Sequence, residues 1–189
     1  MKKHFLKFML MATGALMLTV SGCKKDGHDH DNEQELITTV NVVFTPVGGG
    51  TPVTFSFVDS DGDGGNTPVI INGTLAANTS YAVATTFLNE SVTPAEDITK
   101  EVRAEGKEHQ VFYQIQSGLN LTISYNDTDA NSRPIGLVNT AAAGTASTGT
   151  LIVTLRHEPK KSATNVAIGD ITNAGGETDA EITFSVTIQ

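Results

Sequence analysis

Apolar and polar residues alternate, or apolar residues run together, over four stretches of the first half of the chain: Thr39 to Thr45, Val53 to Val58, Val69 to Asn72 and Tyr81 to Leu88. A period of two puts successive side chains on opposite faces, so each stretch predicts a strand with one face toward a core. Turn chemistry separates them, as in Gly48-Gly49-Gly50-Thr51-Pro52 and Asp63-Gly64-Gly65-Asn66. The second half supplies His109 to Ile115, Leu119 to Tyr125, Gly136 to Asn139 and Thr150 to His157. Glu181 to Ile188 closes the chain, with Ile182, Phe184, Val186 and Ile188 facing one way and Thr183, Ser185 and Thr187 the other. About nine short strands at this spacing predict an all-β fold: an antiparallel two-layer sandwich, immunoglobulin-like. One short helix is expected. Thr93-Pro94-Ala95-Glu96 has the form of a capping box with proline in the first helical position, Ala95, Ile98 and Val102 form a narrow apolar stripe, and Gly106 offers a stop.

The pattern also repeats at an offset of 68 residues. Val43-Phe44 recurs as Val111-Phe112, and Val53-Thr54-Phe55-Ser56-Phe57 as Leu121-Thr122-Ile123-Ser124-Tyr125. Asp59, Asp61 and Asp63 recur as Asp127, Asp129 and Asn131; Val83, Thr85, Phe87 and Glu90 recur as Leu151, Val153, Leu155 and Glu158. With slight slippage, Asp97-Ile98-Thr99 recurs as Asp170-Ile171-Thr172. Shared strand alternation explains some of these matches, but not the acidic loops or the glutamates. The expectation is an internal duplication with halves of about 37–105 and 106–174, followed by a closing strand over 177–189.

Neither period continues toward the N-terminus. Met1-Lys2-Lys3-His4 is a basic opening, and Phe8 to Val20 is an uncharged run of 13 residues, the length of a secretory core and short of the roughly 20 a spanning helix needs. Val20-Ser21-Gly22-Cys23 resembles a bacterial lipobox, which implies that residues 1–22 are a lipoprotein signal peptide and that Cys23 is acylated. Two or more acyl chains hold a soluble domain stably at a bilayer, where one anchors marginally. Lys24 stands where an aspartate would resemble an inner-membrane retention signal. Lys25-Asp26, with Asp29, Asp31, Glu33 and Glu35, resembles the acidic export signal of surface-exposed lipoproteins, so the expected location is the outer membrane, facing outward. From Lys24 to Glu35 there is no apolar residue, and residues 23–36 are read as an acidic disordered tether ahead of a domain over 37–189.

Composition narrows the partners. The chain of 189 residues carries 12 basic and 21 acidic side chains, a formal charge of −9. Setting aside Lys2, Lys3 and Lys7 of the leader leaves nine bases against the same 21 acids, or −12. Such a surface repels phosphates, which argues against nucleic acid and against direct adsorption to anionic lipid, leaving the acyl anchor as the membrane contact. The single cysteine excludes an internal disulfide framework and a Cys-based zinc site.

Candidate chemistry lies in acids and histidines. Asp59-Ser60-Asp61-Gly62-Asp63-Gly64 opens like a calcium loop, in which alternate oxygens converge and glycine permits the sharp turn. An EF-hand would place a bidentate glutamate at the twelfth position, where Ile70 stands. The second loop, with Asp127, Asp129 and Asn131, is a weaker version, and both read equally as solvated turns. Calcium affinity in such loops would be about 10⁻⁴ to 10⁻³ M. His28-Asp29-His30 in the tether offers imidazoles and a carboxylate to zinc, copper or nickel. Glu108-His109 and His157-Glu158 lie at strand ends, and the repeat sets Glu90 against Glu158. If folding gathers His109, His157 and the glutamates, a transition-metal site such as zinc follows; otherwise these are surface or hydrogen-bonded strand residues.

Catalytic patterns are missing. The chain has no Gly-x-Ser-x-Gly elbow, no P-loop and no dinucleotide fingerprint, and Cys23 is consumed by lipid. Five further stretches resemble a group of small Gram-negative outer-membrane lipoproteins of unestablished role: Glu35-Leu36-Ile37-Thr38-Thr39-Val40, Phe87-Leu88-Asn89-Glu90-Ser91, Glu108-His109-Gln110-Val111-Phe112-Tyr113, Leu155-Arg156-His157-Glu158-Pro159 and Gly169-Asp170-Ile171-Thr172-Asn173-Ala174-Gly175-Gly176. The resemblance covers nearly all of the chain after Cys23. Members often carry the label "type 1 periplasmic binding fold". That fold has two α/β lobes with repeated strand–helix alternation, whereas the pattern here predicts the sandwich. The expected function is non-enzymatic: a lipid-anchored binding module capturing a cation or small nutrient beside an outer-membrane transporter. The competing class is a structural or adhesive surface protein with no small-molecule ligand.

Overall fold

The structure of the protein is a computed structural model that describes residues 35–62, 65–116 and 118–189. The leader, Cys23, His28, His30 and Asp63 lie outside the described residues, as does the tether through residue 34.

Among the described residues the chain forms β1 (Thr39–Pro46), β2 (Val53–Val58), β3 (Val69–Ile71), β4 (Gly73–Leu75), β5 (Thr79–Leu88), α1 (Ile98–Ala104), β6 (His109–Gln116), β7 (Leu121–Tyr125), β8 (Val138–Ala143), β9 (Ser147–His157) and β10 (Glu177–Ile188). They make two sheets, one in the order β3-β2-β1-β5-β8-β7 and one in the order β4-β10-β9-β6. Every neighbouring pair is antiparallel except β4 and β10. The fold is the expected all-β sandwich.

Alternation dictates what each strand buries. Val40, Val42 and Phe44 of β1, Tyr81, Val83 and Phe87 of β5, Leu151, Val153 and Leu155 of β9, and Ile182, Phe184, Val186 and Ile188 of β10 all point inward and join one cluster. Phe44 and Phe55 lie 5.0 Å apart between ring centres, and Phe55 meets Phe184 of the opposite sheet at 5.7 Å. Phe55 also fixes Gly73, because a Cβ there would overlap its ring. A buried polar pin crosses between the sheets. The Tyr113 hydroxyl lies 2.6 Å from Thr85 Oγ1 and donates to the Gly136 carbonyl at 2.7 Å, while Asn139 Nδ2 donates to Tyr113 at 3.0 Å.

Three expectations change. The strand β4 has only Gly73, Thr74 and Leu75, too short for alternation to show. At Asn72 the chain leaves one sheet for the other, and the Asn72 side chain accepts from Ser185 N–H at 2.7 Å. The helix starts four residues later than the capping-box reading, with Asp97 as its N-cap. Glu96 exchanges backbone hydrogen bonds with Asn89 at 2.9 and 3.0 Å, which holds it in an extended bridge instead. The duplication does not emerge as two like halves. The pairs β2–β3 and β1–β5 have counterparts in β7–β8 and β6–β9, but β1 pairs with β2 while β6 and β7 belong to different sheets. Both halves feed one core. Outside it, Phe112 points from the far face of β6 and is covered by Val166 and Ala174 of the long β9–β10 connection.

Candidate metal centre

The inward stripe of β6 reads His109, Val111, Tyr113, and that of β9 reads Leu151, Val153, Leu155, His157, so each ends in a histidine at the same rim of the sandwich. Strand register sets His109 directly against His157, and their rings stack 4.8 Å apart at 14°. His109 is 1% exposed. Its Nδ1 lies 3.3 Å from the backbone carbonyl of Glu105. A carbonyl only accepts, so Nδ1 carries the proton and Nε2 keeps its lone pair. That Nε2 is buried and has no hydrogen-bond partner among the described residues.

Two carboxylates face it. Asp179 belongs to β10, where Thr178 pairs with Arg156 and Ala180 with Leu155, so Asp179 is the extra residue of a β-bulge. Bulges re-aim side chains, and here the turned side chain is 1% exposed, with neither oxygen finding a hydrogen-bond partner among the described residues. Its Oδ2 lies 4.0 Å from His109 Nε2. Glu35 arrives from the segment ahead of β1, with Oε1 3.4 Å from the same nitrogen and Oε2 buried and unpartnered. Ligand-type atoms of His109, His157 and Asp179 all lie within 4.8 Å of one another, and those of Glu35, Glu105 and His109 form a second such group. Glu35 and Asp179 also line a cleft of about 330 Å³ with Asp59 and Glu181, which gives the group a way out to solvent.

Burial dominates the electrostatics of this group. Burial pushes the Glu35 carboxyl up to about 8, with repulsion from Glu101, Asp179, Glu105 and Glu96 adding to it. Burial lifts Asp179 to about 6, against the pull of His157 and with a further push from Glu177. Burial holds His109 below the ordinary imidazole range, and His157 adds to that. Raised carboxyls and a lowered imidazole mean that burial disfavours the charged form of each group; a nearby cation would favour the carboxylates and leave the imidazole neutral.

The acids expected to bind cations fare differently. Asp59 lines the cleft. Asp61 turns onto its own loop, where Oδ2 accepts from Asn66 N–H at 3.3 Å and Asn66 Nδ2 at 2.7 Å. Asp127 accepts from the backbone amides of Gly136, Leu137 and Val138 at 2.8 to 3.1 Å. Asp129 accepts from the Asn131 and Arg133 amides through Oδ1, and its Oδ2 lies 3.0 Å from Lys161 Nζ. In the second loop the side chain of Lys161 supplies the cation. Asn131 contributes its backbone amide to that turn. Glu90 accepts from Thr39 Oγ1 at 2.5 Å, and Glu158 is exposed at a left-handed turn; neither joins the histidines.

Three residues of the centre escape a reading of the sequence. Glu35 belongs by composition to the acidic tether, Glu105 to the exposed face of a helix, and Asp179 precedes the alternating run. The signal for Asp179 is faint: Ala180 keeps the apolar phase of Ile182, and an acid beside it is buried only if the strand bulges. Comparison with protein-family models, with curated proteins and with solved structures finds no match for this chain.

Proposed function

We propose that the protein is a lipid-anchored, non-enzymatic binding module of the outer membrane, facing outward, that captures a cation and works beside an outer-membrane transporter. The observation that carries this is the approach of buried His109 Nε2 to Asp179 and Glu35, each with side-chain atoms that lack a hydrogen-bond partner among the described residues, the two carboxyls lining a cleft. Buried polar atoms without partners are rare in native proteins, and a bound ion is one of the few things that accounts for several in one place. The lipobox-like Val20-Ser21-Gly22-Cys23 supports the anchor, and among the described residues no helix is long and apolar enough to cross a membrane. The test is equilibrium dialysis of the chelator-stripped full chain in detergent against zinc, copper and calcium. Uptake near one ion per chain is the expected result; uptake equal to a buffer control removes the cation.

A structural or adhesive role has its own support in β3. This edge strand exposes Val69, Ile70 and Ile71, with 60%, 43% and 54% of their surfaces free, and an apolar open edge can pair with another chain. Capture from solubilised outer membranes separates the readings: a stoichiometric barrel protein supports uptake, and a matrix or capsule component supports adhesion.

A further inference from the structure

We propose that the cation is a single borderline transition-metal ion, Zn(II) or a divalent ion of its class, held by His109 Nε2, His157, Asp179 and Glu35. This rests on the cation-binding reading above and names its site and its metal. The donor chemistry selects the class. Calcium and magnesium take oxygen shells of six to eight and six ligands, whereas two imidazoles with two carboxylates suit zinc and its neighbours. Two carboxylates also cancel the charge of a divalent ion, so the occupied site would bury no net charge at the rim of the core.

Geometry agrees. Ligands bound at 2.0–2.1 Å at the corners of a tetrahedron lie about 3.3 Å apart. His109 Nε2 stands 3.4 Å from Glu35 Oε1 and 4.0 Å from Asp179 Oδ2, and ligand atoms of His109, His157 and Asp179 lie within 4.8 Å of one another, so these three need only a small closure while Glu35 joins them through its approach to His109. Three ligands sit on paired strands, and the Glu105 carbonyl holds the His109 ring with its lone pair turned to the site, the outer-shell contact that metal-binding histidines use. Glu35 differs. It stands ahead of Thr38, whose N–H makes the first backbone bond of the domain to Leu88 O at 2.9 Å, so it is the ligand on the arm that leads into β1. A centre assembled in this way is held largely by paired strands.

The experiment titrates the full chain in detergent with Zn(II), and with Co(II) as a spectroscopic stand-in. Wild-type protein, D179N, H157Q, E35Q and a H28A/H30A double variant are compared. D179N and E35Q put a neutral amide of the same shape in place of a buried carboxyl, so neither threatens folding of the metal-free protein. The expected result is one ion per chain, Co(II) absorption of four-coordinate intensity, and affinity lost in D179N and H157Q by more than the roughly 10–100-fold typical of an outer-shell change. E35Q should weaken binding by less, H28A/H30A should leave it unchanged, and calcium should not compete at equal concentration. Zinc binding that survives D179N and H157Q but disappears in H28A/H30A overturns this site while the cation reading stands. Calcium displacing zinc overturns the metal class, and absence of any bound ion overturns both.

Discussion

At the scale of single residues, the buried carboxyls at the rim work against the fold, and this makes them measurable. Glu35 has an ordinary value of 4.5 and sits at about 8 in the folded protein, so the native state holds a proton that the unfolded chain releases between those pH values. Its stabilising protonation is fully present below 4.5 and is lost as the pH rises through 8. Asp179 behaves the same way between 3.8 and about 6. His109 is shifted below 6.5, so its contribution is present above 6.5 and lost as the pH falls. From pH 6.5 to 8.5 the Glu35 effect is the largest of the three, because the His109 and Asp179 differences fade as the pH rises while Glu35 keeps its proton toward 8. Chelator-treated protein should show a Tm that falls across that interval, and zinc should raise Tm most at its upper end; a metal-free Tm that rises from pH 6.5 to 8.5 would contradict this. The histidines could be read in the sequence because both fall in phase with apolar stripes. Asp179 could not, since one inserted residue reverses its face and only the register between β9 and β10 reveals the insertion.

At the scale of elements, the loop after β7 shows how one pattern serves two purposes. Asp127, Asp129 and Asn131 have cation-loop spacing, yet the carboxylates close a turn bridged at Thr128 and Pro134 and receive Lys161 from the distant β9–β10 connection. Lys161 is 6% exposed, with Nζ bonded to the carbonyls of Gly106 and Pro134 as well as to Asp129. Burial lowers the Lys161 ammonium, and the facing Asp129 opposes that. Asp129 would itself be raised by burial, but the Arg133 amide and Lys161 hold it below the usual carboxylate range. Removing one partner of such a pair leaves the other charge buried alone, at a cost of about 3–5 kcal/mol. K161M should lose that much stability in urea while binding zinc with unchanged stoichiometry; a loss below about 1 kcal/mol would show the pair to be solvated. Most strands were readable because alternation is local, but β4 escapes it and β8, expected over Gly136 to Asn139, runs over Val138–Ala143. The start of α1 was not readable, because the competing bridge between Asn89 and Glu96 joins separate parts of the chain.

At the scale of the whole molecule, the sandwich interleaves the two halves of the sequence, while the strand residues of the rim group sit on the neighbouring β6, β9 and β10. The six-stranded sheet takes β7 and β8 from the second half, and the four-stranded sheet takes β4 from the first. Phe184 ties them together against Phe55. F184A should cost about 3–5 kcal/mol and leave a single unfolding transition; two separate transitions would mean two cores. Similar strand spacing in the two halves says which segments become strands but not which partners they take: β1 pairs with β2, while β6 and β7 belong to different sheets. The account depends most on one ion at the rim where β6, β9 and β10 meet. Anomalous scattering from a zinc-loaded crystal at the zinc edge tests this directly. The expected result is one peak within bonding distance of His109 Nε2, His157 and Asp179; a peak only on the Asp59 loop, or none among these residues, would contradict it.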